Sequence, residues 1–172
     1  MQPEIMHEDE RFVIAVWKNV CIIDAWGEID LPRMRKMGDC YRKLLARHPQ
    51  GILAISSLRP NIPVSGSDAR AESVSFLKEL GDKLLHLAFV IEADGVLGLM
   101  LRSVLRGINA LVRPGRIVIV ESVERAVQIV SPHVASDLRR DDVQLQLTAA
   151  IAGLRARFKG PLRSASPTRS SL

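Results

Sequence analysis

The pattern of hydrophobic residues predicts a central strand that passes directly into a helix. Residues 20–30 read VCIIDAWGEID and begin as a nearly continuous apolar run rich in β-branched side chains. Such a run is typical of a strand that is covered on both faces. Gly27 ends the run, and Asp30 lies just before Leu31-Pro32, where a helix N-cap is expected. We therefore expect Gly27 and Asp30 to form the structural signature of this turn, with a side chain poorly tolerated at Gly27.

The residues before this strand predict an antiparallel hairpin. Residues 11–17 show the alternating, β-branched pattern of a strand, with Phe12, Ile14 and Val16 on one side. Lys18-Asn19 then supplies a short turn into the next strand. Residues 1–10 are acidic and polar, so they are predicted to form a mobile arm.

The remaining chain alternates strands with helices. Short apolar runs predict strands, and apolar residues at three- and four-residue spacing predict helices. The predicted strands are 52–55, 84–91 and 116–120, and the predicted helices are 30–48, 68–80, 95–113 and 123–130. This order predicts an α/β fold with a mainly parallel sheet of about five strands, opened by the antiparallel hairpin and accompanied by about four helices.

An added amphipathic helix is expected at the C-terminal end of this fold. Apolar side chains recur with helical period at Val143, Leu147, Ile151 and Leu154. The chain is therefore divided into the arm 1–10, an α/β domain 11–131, an added helical segment 132–159, and a basic tail 160–172. The tail is rich in Ser, Pro and Arg, and we expect it to be disordered.

The charge of the chain argues against a nucleic-acid-binding face. The net charge is +5, and residues 153–172 alone hold five Arg and Lys residues and no acidic residue. The rest of the chain is therefore neutral. Aromatic residues make up only 4% of the sequence, which disfavours stacking on single-stranded nucleic acid. We expect no specific nucleic-acid partner.

The same sequence favours a cytoplasmic location. The acidic N-terminal residues do not resemble a signal peptide, and Arg102 and Arg106 interrupt the longest apolar segment, 96–112, so no transmembrane segment is predicted. Cys21 and Cys40 have neither redox nor metal-binding spacing and are expected to be buried free thiols.

The sequence shows no arrangement typical of catalysis. The four histidines lie in different predicted elements, and Gly95-x-x-Gly98 lacks the tight G-x-G of a dinucleotide site. Glu28 and Asp30 are interpreted as a turn and a helix cap. We therefore expect a protein that is not an enzyme and that has no cofactor and no metal site.

Three short segments resemble STAS domains, the fold of bacterial anti-sigma-factor antagonists and of the cytoplasmic part of sulphate transporters. The family's strand that runs into Gly-x-Leu/Ile-Asp is similar to residues 20–30. Its buried third strand is similar to residues 52–58 (ILAISSL), and its last strand and closing helix are similar to residues 116–126 (RIVIVESVERA). The resemblance covers about residues 11–131. It implies a fold like that of stage II sporulation protein AA, and a signalling module that contacts a kinase-like or sigma-regulating protein.

The chain departs from the family at the phosphorylation loop. Signalling members have Asp-Ser-x-Gly there, with a phosphorylated serine, whereas this chain reads Pro63-Val64-Ser65-Gly66. The acceptor position is thus Val64. Ser65 and Ser67 are nearby hydroxyls and possible phosphorylation sites, although Ser67 is also suited to cap the next helix. We expect the family's phosphoswitch to be lost or replaced, which would leave the binding surface constitutively available.

The helix 95–113 has an apolar surface wider than one face. Arg102, Arg106 and Arg113 contribute to its narrow polar strip. Such a helix is buried on two sides, covered by a partner, or lines a lipid-like pocket. The cover is either the added C-terminal helix or an intermolecular contact. A homo-oligomer is a separate alternative for the state of the chain. Arg102, Arg106 and Arg113, with Arg59 and Asn61 of the loop 59–67, are the candidate contacts to a partner protein or to a ligand. The alternative function is a carrier or sensor of an apolar or anionic small ligand.

Overall fold

The α/β fold predicted from the sequence is confirmed by a computed structural model, which describes residues 2–112 and 115–158. One mixed sheet holds six strands in sequential order. The strands are Glu4–Glu8 (β1), Phe12–Trp17 (β2), Val20–Ala25 (β3), Ile52–Leu58 (β4), Leu84–Ile91 (β5) and Ile117–Val120 (β6). The helices are Leu31–Arg47 (α1), Ser67–Leu80 (α2), Gly95–Val112 (α3), Val123–Val130 (α4) and Arg140–Arg157 (α5), with short 3-10 turns at Gly81–Lys83 and Ser131–His133.

The first strand was not expected. Residues 4–8 pair antiparallel with β2, from Glu4 opposite Val16 to Glu8 opposite Val13, with an irregularity between Ile5 and His7. The prediction of a mobile arm over 1–10 is therefore wrong for these residues, and the sheet has six strands instead of about five. The physical reason is that β2 is buried along its whole length, and its outer backbone groups need hydrogen-bond partners that β1 supplies.

The sheet is covered on both faces. β1, β2 and β3 are antiparallel neighbours, whereas β3, β4, β5 and β6 run parallel. The crossover helices α1, α2 and α3 pack on one face, and α4 and α5 pack on the other. Alternate residues of β3 point to opposite layers, so that Cys21 and Ile23 face α1 while Val20 and Ile22 face α5. This double coverage explains the continuous apolar run of β3.

The added C-terminal helix is α5, Arg140–Arg157, which lies within the predicted helical segment 132–159. It packs on the face of the sheet opposite α3 through Val143, Leu147, Ile151 and Leu154. It is therefore not the cover of α3, which was one of the two expectations for that helix. The predicted disordered tail 160–172 lies outside the described residues.

The turn between β3 and α1 has the expected signature residues. The Asp30 side chain caps α1 by accepting a hydrogen bond from the backbone N–H of Arg33 (3.1 Å). A Cβ atom on Gly27 would lie 2.8 Å from Cγ of Arg11, and the Gly27 N–H donates to the Arg11 carbonyl. The small residue at Gly27 is thus required by its close approach to the start of the hairpin.

Candidate functional site

A group of charged side chains around the buried Asp24 lies at the carboxyl ends of β3, β4 and β5. Asp24 of β3 is 1% exposed and points toward α5. Arg59, just after β4, donates to Oδ2 of Asp24 from Nε at 3.0 Å and from a terminal nitrogen as well. Arg155 of α5 places a guanidinium nitrogen 3.5 Å from Oδ1 of Asp24 and binds Glu92 at 2.6 Å. Two acidic and two basic side chains thus compensate one another beneath α5.

The C-terminal end of α5 closes this charge cluster, defined as Asp24, Arg59, Glu92 and Arg155. The rings of Trp26 and Phe158 stack with centroids 6.4 Å apart, and the Arg59 guanidinium lies 5.1 Å from the Trp26 ring. Arg59 also donates to the Phe158 carbonyl at 2.7 Å. The cluster therefore holds α5 in place, and its carboxylates are already engaged with arginines.

The predicted contact residues do not form a single site. Arg59 is turned inward to the charge cluster, whereas Asn61 is exposed in the following loop with φ of 66°. Arg102 and Arg106 lie on α3, on the other side of the sheet, and Arg113 lies outside the described residues. The structure does not bring Arg59 together with the arginines of α3.

The two serines of the loop before α2 have different environments. Ser65 is partly buried, and its carbonyl accepts a hydrogen bond from Arg70. Ser67 is exposed and is the first residue of α2, whose N-cap is Gly66. The prediction that Ser67 caps this helix is wrong, because Gly66 takes the extended cap conformation and the Ser67 hydroxyl contacts Asp68 instead (3.3 Å).

A small apolar cavity separates α3 from the sheet and from α1 and α2. Its volume is about 80 Å³, well below the ~300–1,000 Å³ of pockets that enclose a drug-sized ligand. Ser65 and Arg70 contribute polar atoms to its wall. Its apolar lining includes Met34, Met37, Phe76, Leu101, Val104 and Ile108.

The outer side of α3 exposes large apolar side chains. Val96 is 74% exposed, Leu99 67%, Met100 52% and Leu111 60%, and these four residues are called the α3 surface below. The opposite side of the helix buries Leu101, Leu105 and Ile108 in the core. Among the described residues, α3 is the one helix whose length and composition would suffice to cross a membrane, and only 22% of it is buried. Large exposed apolar patches are common at interaction sites of soluble proteins.

Two histidines meet at the opposite end of the sheet from the charge cluster. The ring of His86 on β5 lies 4.5 Å from that of His133, centroid to centroid. Burial, and then the nearby His133 and Arg116, lower the pKa of His86 below its ordinary value. The folded protein therefore resists protonation of His86, and the unfolded chain does not.

This histidine pair predicts a loss of stability in mild acid. The unfolded state binds more protons below the ordinary histidine pKa of about 6.5, so the free energy of unfolding should fall as the pH drops from about 7.5 to about 5.5. Urea unfolding of the wild type and of His86→Gln at both pH values measures the effect. The variant should lose less stability across this range, and equal losses in the two proteins would contradict the role of His86.

Both cysteines are buried and free of disulfide bonds. Burial raises the pKa of the Cys21 and Cys40 thiols, which keeps them protonated and unreactive. Within residues 2–112 and 115–158, no group of three or more His, Cys, Asp or Glu side chains is arranged to hold a metal ion.

Sequence reasoning missed most of the charge cluster. Asp24 was read as part of an apolar strand, and Glu92 and Arg155 were not singled out. One signal was present, since an acidic residue inside a run of buried β-branched residues needs a partner. The identity of that partner depends on how α5 packs.

Comparison with known proteins shows the fold. No family model matches the chain, and no curated protein matches it. One solved structure, an uncharacterised protein of the DUF3478 family with a SpoIIAA-like fold from Shewanella loihica PV-4, is similar with a TM-score of 0.54 and 15% identity. The match covers 72% of this chain and 98% of the other. The chain therefore has a SpoIIAA-like, or STAS-like, fold, as the sequence resemblance implied.

Proposed function

We propose that this protein is a non-enzymatic, STAS-like regulatory module that acts in the cytoplasm by reversible contact with another protein in signalling. The observation that carries the proposal is the α3 surface, on which four large apolar side chains lie exposed. Burying such side chains against a partner contributes roughly 1.5–3 kcal/mol each when burial is complete. The fold is compatible with this role.

A further feature supports contact over catalysis. The carboxylates of Asp24 and Glu92 lie at the carboxyl edge of the sheet, where α/β enzymes commonly bind substrates. Both are engaged by arginines, Asp24 by Arg59 and Arg155 and Glu92 by Arg155. The four side chains of the α3 surface, in contrast, are open to solvent.

Site-specific crosslinking in the source cells tests the proposal. A photoreactive residue at position 99 should capture a defined protein, whereas the same residue at position 145 should not. Leu145 is a matched control because it is 73% exposed but lies on α5, across the sheet. Leu99→Asp should also reduce capture from other positions of α3, and Leu145→Asp should not. Identical crosslinks from positions 99 and 145 would contradict the proposal.

The contact is proposed to be constitutive. Ser65→Asp and Ser67→Asp are expected to keep the position-99 crosslink, because the family's phosphoacceptor position is occupied by Val64. Phosphopeptide analysis of protein from its own cells accompanies this test. A phosphate at either serine, together with loss of the crosslink in the matching variant, would show that the contact is regulated.

A second candidate function, a carrier or sensor of an apolar ligand, is favoured by the cavity beneath α3. At about 80 Å³, the cavity would have to enlarge by movement of α3 to hold a lipid-sized molecule. Heating the protein with and without extracted cell lipids distinguishes this function, because a ligand that binds the native state raises the melting temperature. Leu101→Trp, which fills the cavity, should then abolish the increase.

A further inference from the structure

Along the centre of its exposed side, α3 has bulky residues in its first half and small residues in its second, whereas the exposed Leu111 lies about 80° from Ser103 around the helix axis, at the edge of this side. Val96, Leu99 and Met100 are followed by Ser103, and then by Gly107 and Ala110, all of them exposed. At 100° per residue, positions 96, 103 and 110 lie within about 40° of one another around the helix axis. Bulky and small side chains therefore follow one another along a single stripe.

This order lets the α3 helices of two copies fit together when they run antiparallel, with bulky side chains of one helix opposite small side chains of the other. In an antiparallel pair centred on Ser103, Met100 lies opposite Gly107 of the second copy, and Val96 lies opposite its Ala110. A two-fold axis repeats both contacts, as in the usual closed dimer of identical subunits. Small residues allow two helices to approach closely, and the antiparallel arrangement places opposite ends of the helix dipoles side by side.

The composition of α3 favours a protein surface over a lipid surface. Gly95–Val112 contains no Lys and no aromatic residue, and its charged residues are Arg102 and Arg106. Helices that lie on membranes are typically rich in basic residues on one face and in Trp, Phe and Leu on the other. In the antiparallel pair, by contrast, the aliphatic stem of the exposed Arg106 can cover Leu99 of the second copy.

We propose that the α3 surface pairs with the same surface of a second copy of this chain in an antiparallel, two-fold dimer. The inference rests on the proposed function, because it names a partner for the same surface. One helix pair buries less area than a standard stable interface, so the dimer is weak and reversible. Dimerisation closes the surface, and dissociation presents it to another protein.

Sedimentation velocity over protein concentrations from low micromolar to several hundred micromolar tests the dimer. The wild type should shift from monomer to dimer, whereas Gly107→Leu should remain monomeric. A Cβ atom at Gly107 meets nothing within 4 Å inside the protein, and replacing Gly by Leu favours a helix, so the fold should be retained. Gly153→Leu on α5, where a Cβ atom also meets nothing within 4 Å, is the matched control and should dimerise like the wild type.

A compensating pair of substitutions tests the antiparallel register. Met100→Gly and Gly107→Met should each raise the dissociation constant of the dimer by about tenfold or more. The double variant Met100→Gly/Gly107→Met exchanges the bulky and small positions and should restore dimerisation. Circular dichroism melting confirms that each variant is folded.

Three results would overturn the dimer: a wild type that stays monomeric at every concentration, a Gly107→Leu variant that dimerises like the wild type, or binding to phosphatidylglycerol vesicles without self-association. The proposed function fails separately. A monomeric wild type that still crosslinks another protein from position 99 would refute only the dimer. A dimer that crosslinks only to itself would refute only the contact with another protein.

Discussion

Replacing Asp24 with alanine is expected to destabilise the protein by about 3–5 kcal/mol, the usual cost of breaking a buried ion pair. Asp24 is 1% exposed, and its carboxylate faces both Arg59 and Arg155. Removing it leaves two guanidinium groups without their shared anion beneath α5. Urea unfolding at neutral pH measures the change, and protection of the α5 amides from hydrogen exchange should fall as well.

A double-mutant cycle separates the ion pair from lost packing. Asp24→Ala and Arg59→Ala combined should cost less than the sum of the single variants, because each alone leaves a partner unpaired. Arg47→Ala is the control, since Arg47 pairs with Glu4 on the surface, where a pair contributes less than about 1 kcal/mol. If Asp24→Ala lowered the free energy of unfolding no more than Arg47→Ala, the charge cluster would have no role in holding α5 against the sheet.

Gly98→Ala is expected to destabilise the protein by about 3 kcal/mol, although alanine is the better helix former. A Cβ atom on Gly98 would lie 2.1 Å from the carbonyl oxygen of Ala93, a distance that nonbonded atoms do not reach. The first turn of α3 would have to move away from the strand end, and overpacking of this kind costs more than helix propensity returns. Thermal and urea unfolding measure the loss.

Gly107→Ala, on the same helix, is expected to have the opposite effect on stability. Its added methyl group meets nothing within 4 Å, so the substitution should stabilise the protein by about 0.5–1 kcal/mol. A stabilising Gly98→Ala variant would show that α3 can shift at little cost. Gly95-x-x-Gly98 resembles part of a dinucleotide motif. Close packing against the Ala93 carbonyl explains why position 98 is a glycine.

The elements with strong local signals could be predicted from the sequence. The apolar run of β3 and the Asp30 cap followed by Pro32 specify a strand, a turn and a helix start within a few residues. β1 could not be predicted in this way, because an edge strand with only Ile5 and Met6 as apolar residues lacks a clear alternating pattern.

The positions of the functional surfaces depend on long-range packing. The period of α5 predicts a helix with an apolar side, but not which face of the sheet it covers. The wide apolar surface of α3 follows from its sequence, whereas the exposure of that surface depends on the packing of α5 against the other face of the sheet. Likewise, the sequence predicts that Arg59 contacts a partner, because the residues near it in sequence give no sign that it pairs with Asp24.

The contact between Arg59 and the C-terminal end of α5 also has a consequence for folding during translation. Arg59 contacts the Phe158 carbonyl across 99 residues of sequence, and α5 is the last described helix to leave the ribosome. Until it emerges, the face of the sheet that carries Val13, Ile22 and Leu53 lacks most of its cover. A nascent chain at that stage exposes a broad apolar face and is prone to aggregate. Chaperones that bind during translation should therefore matter most until α5 has emerged from the ribosome.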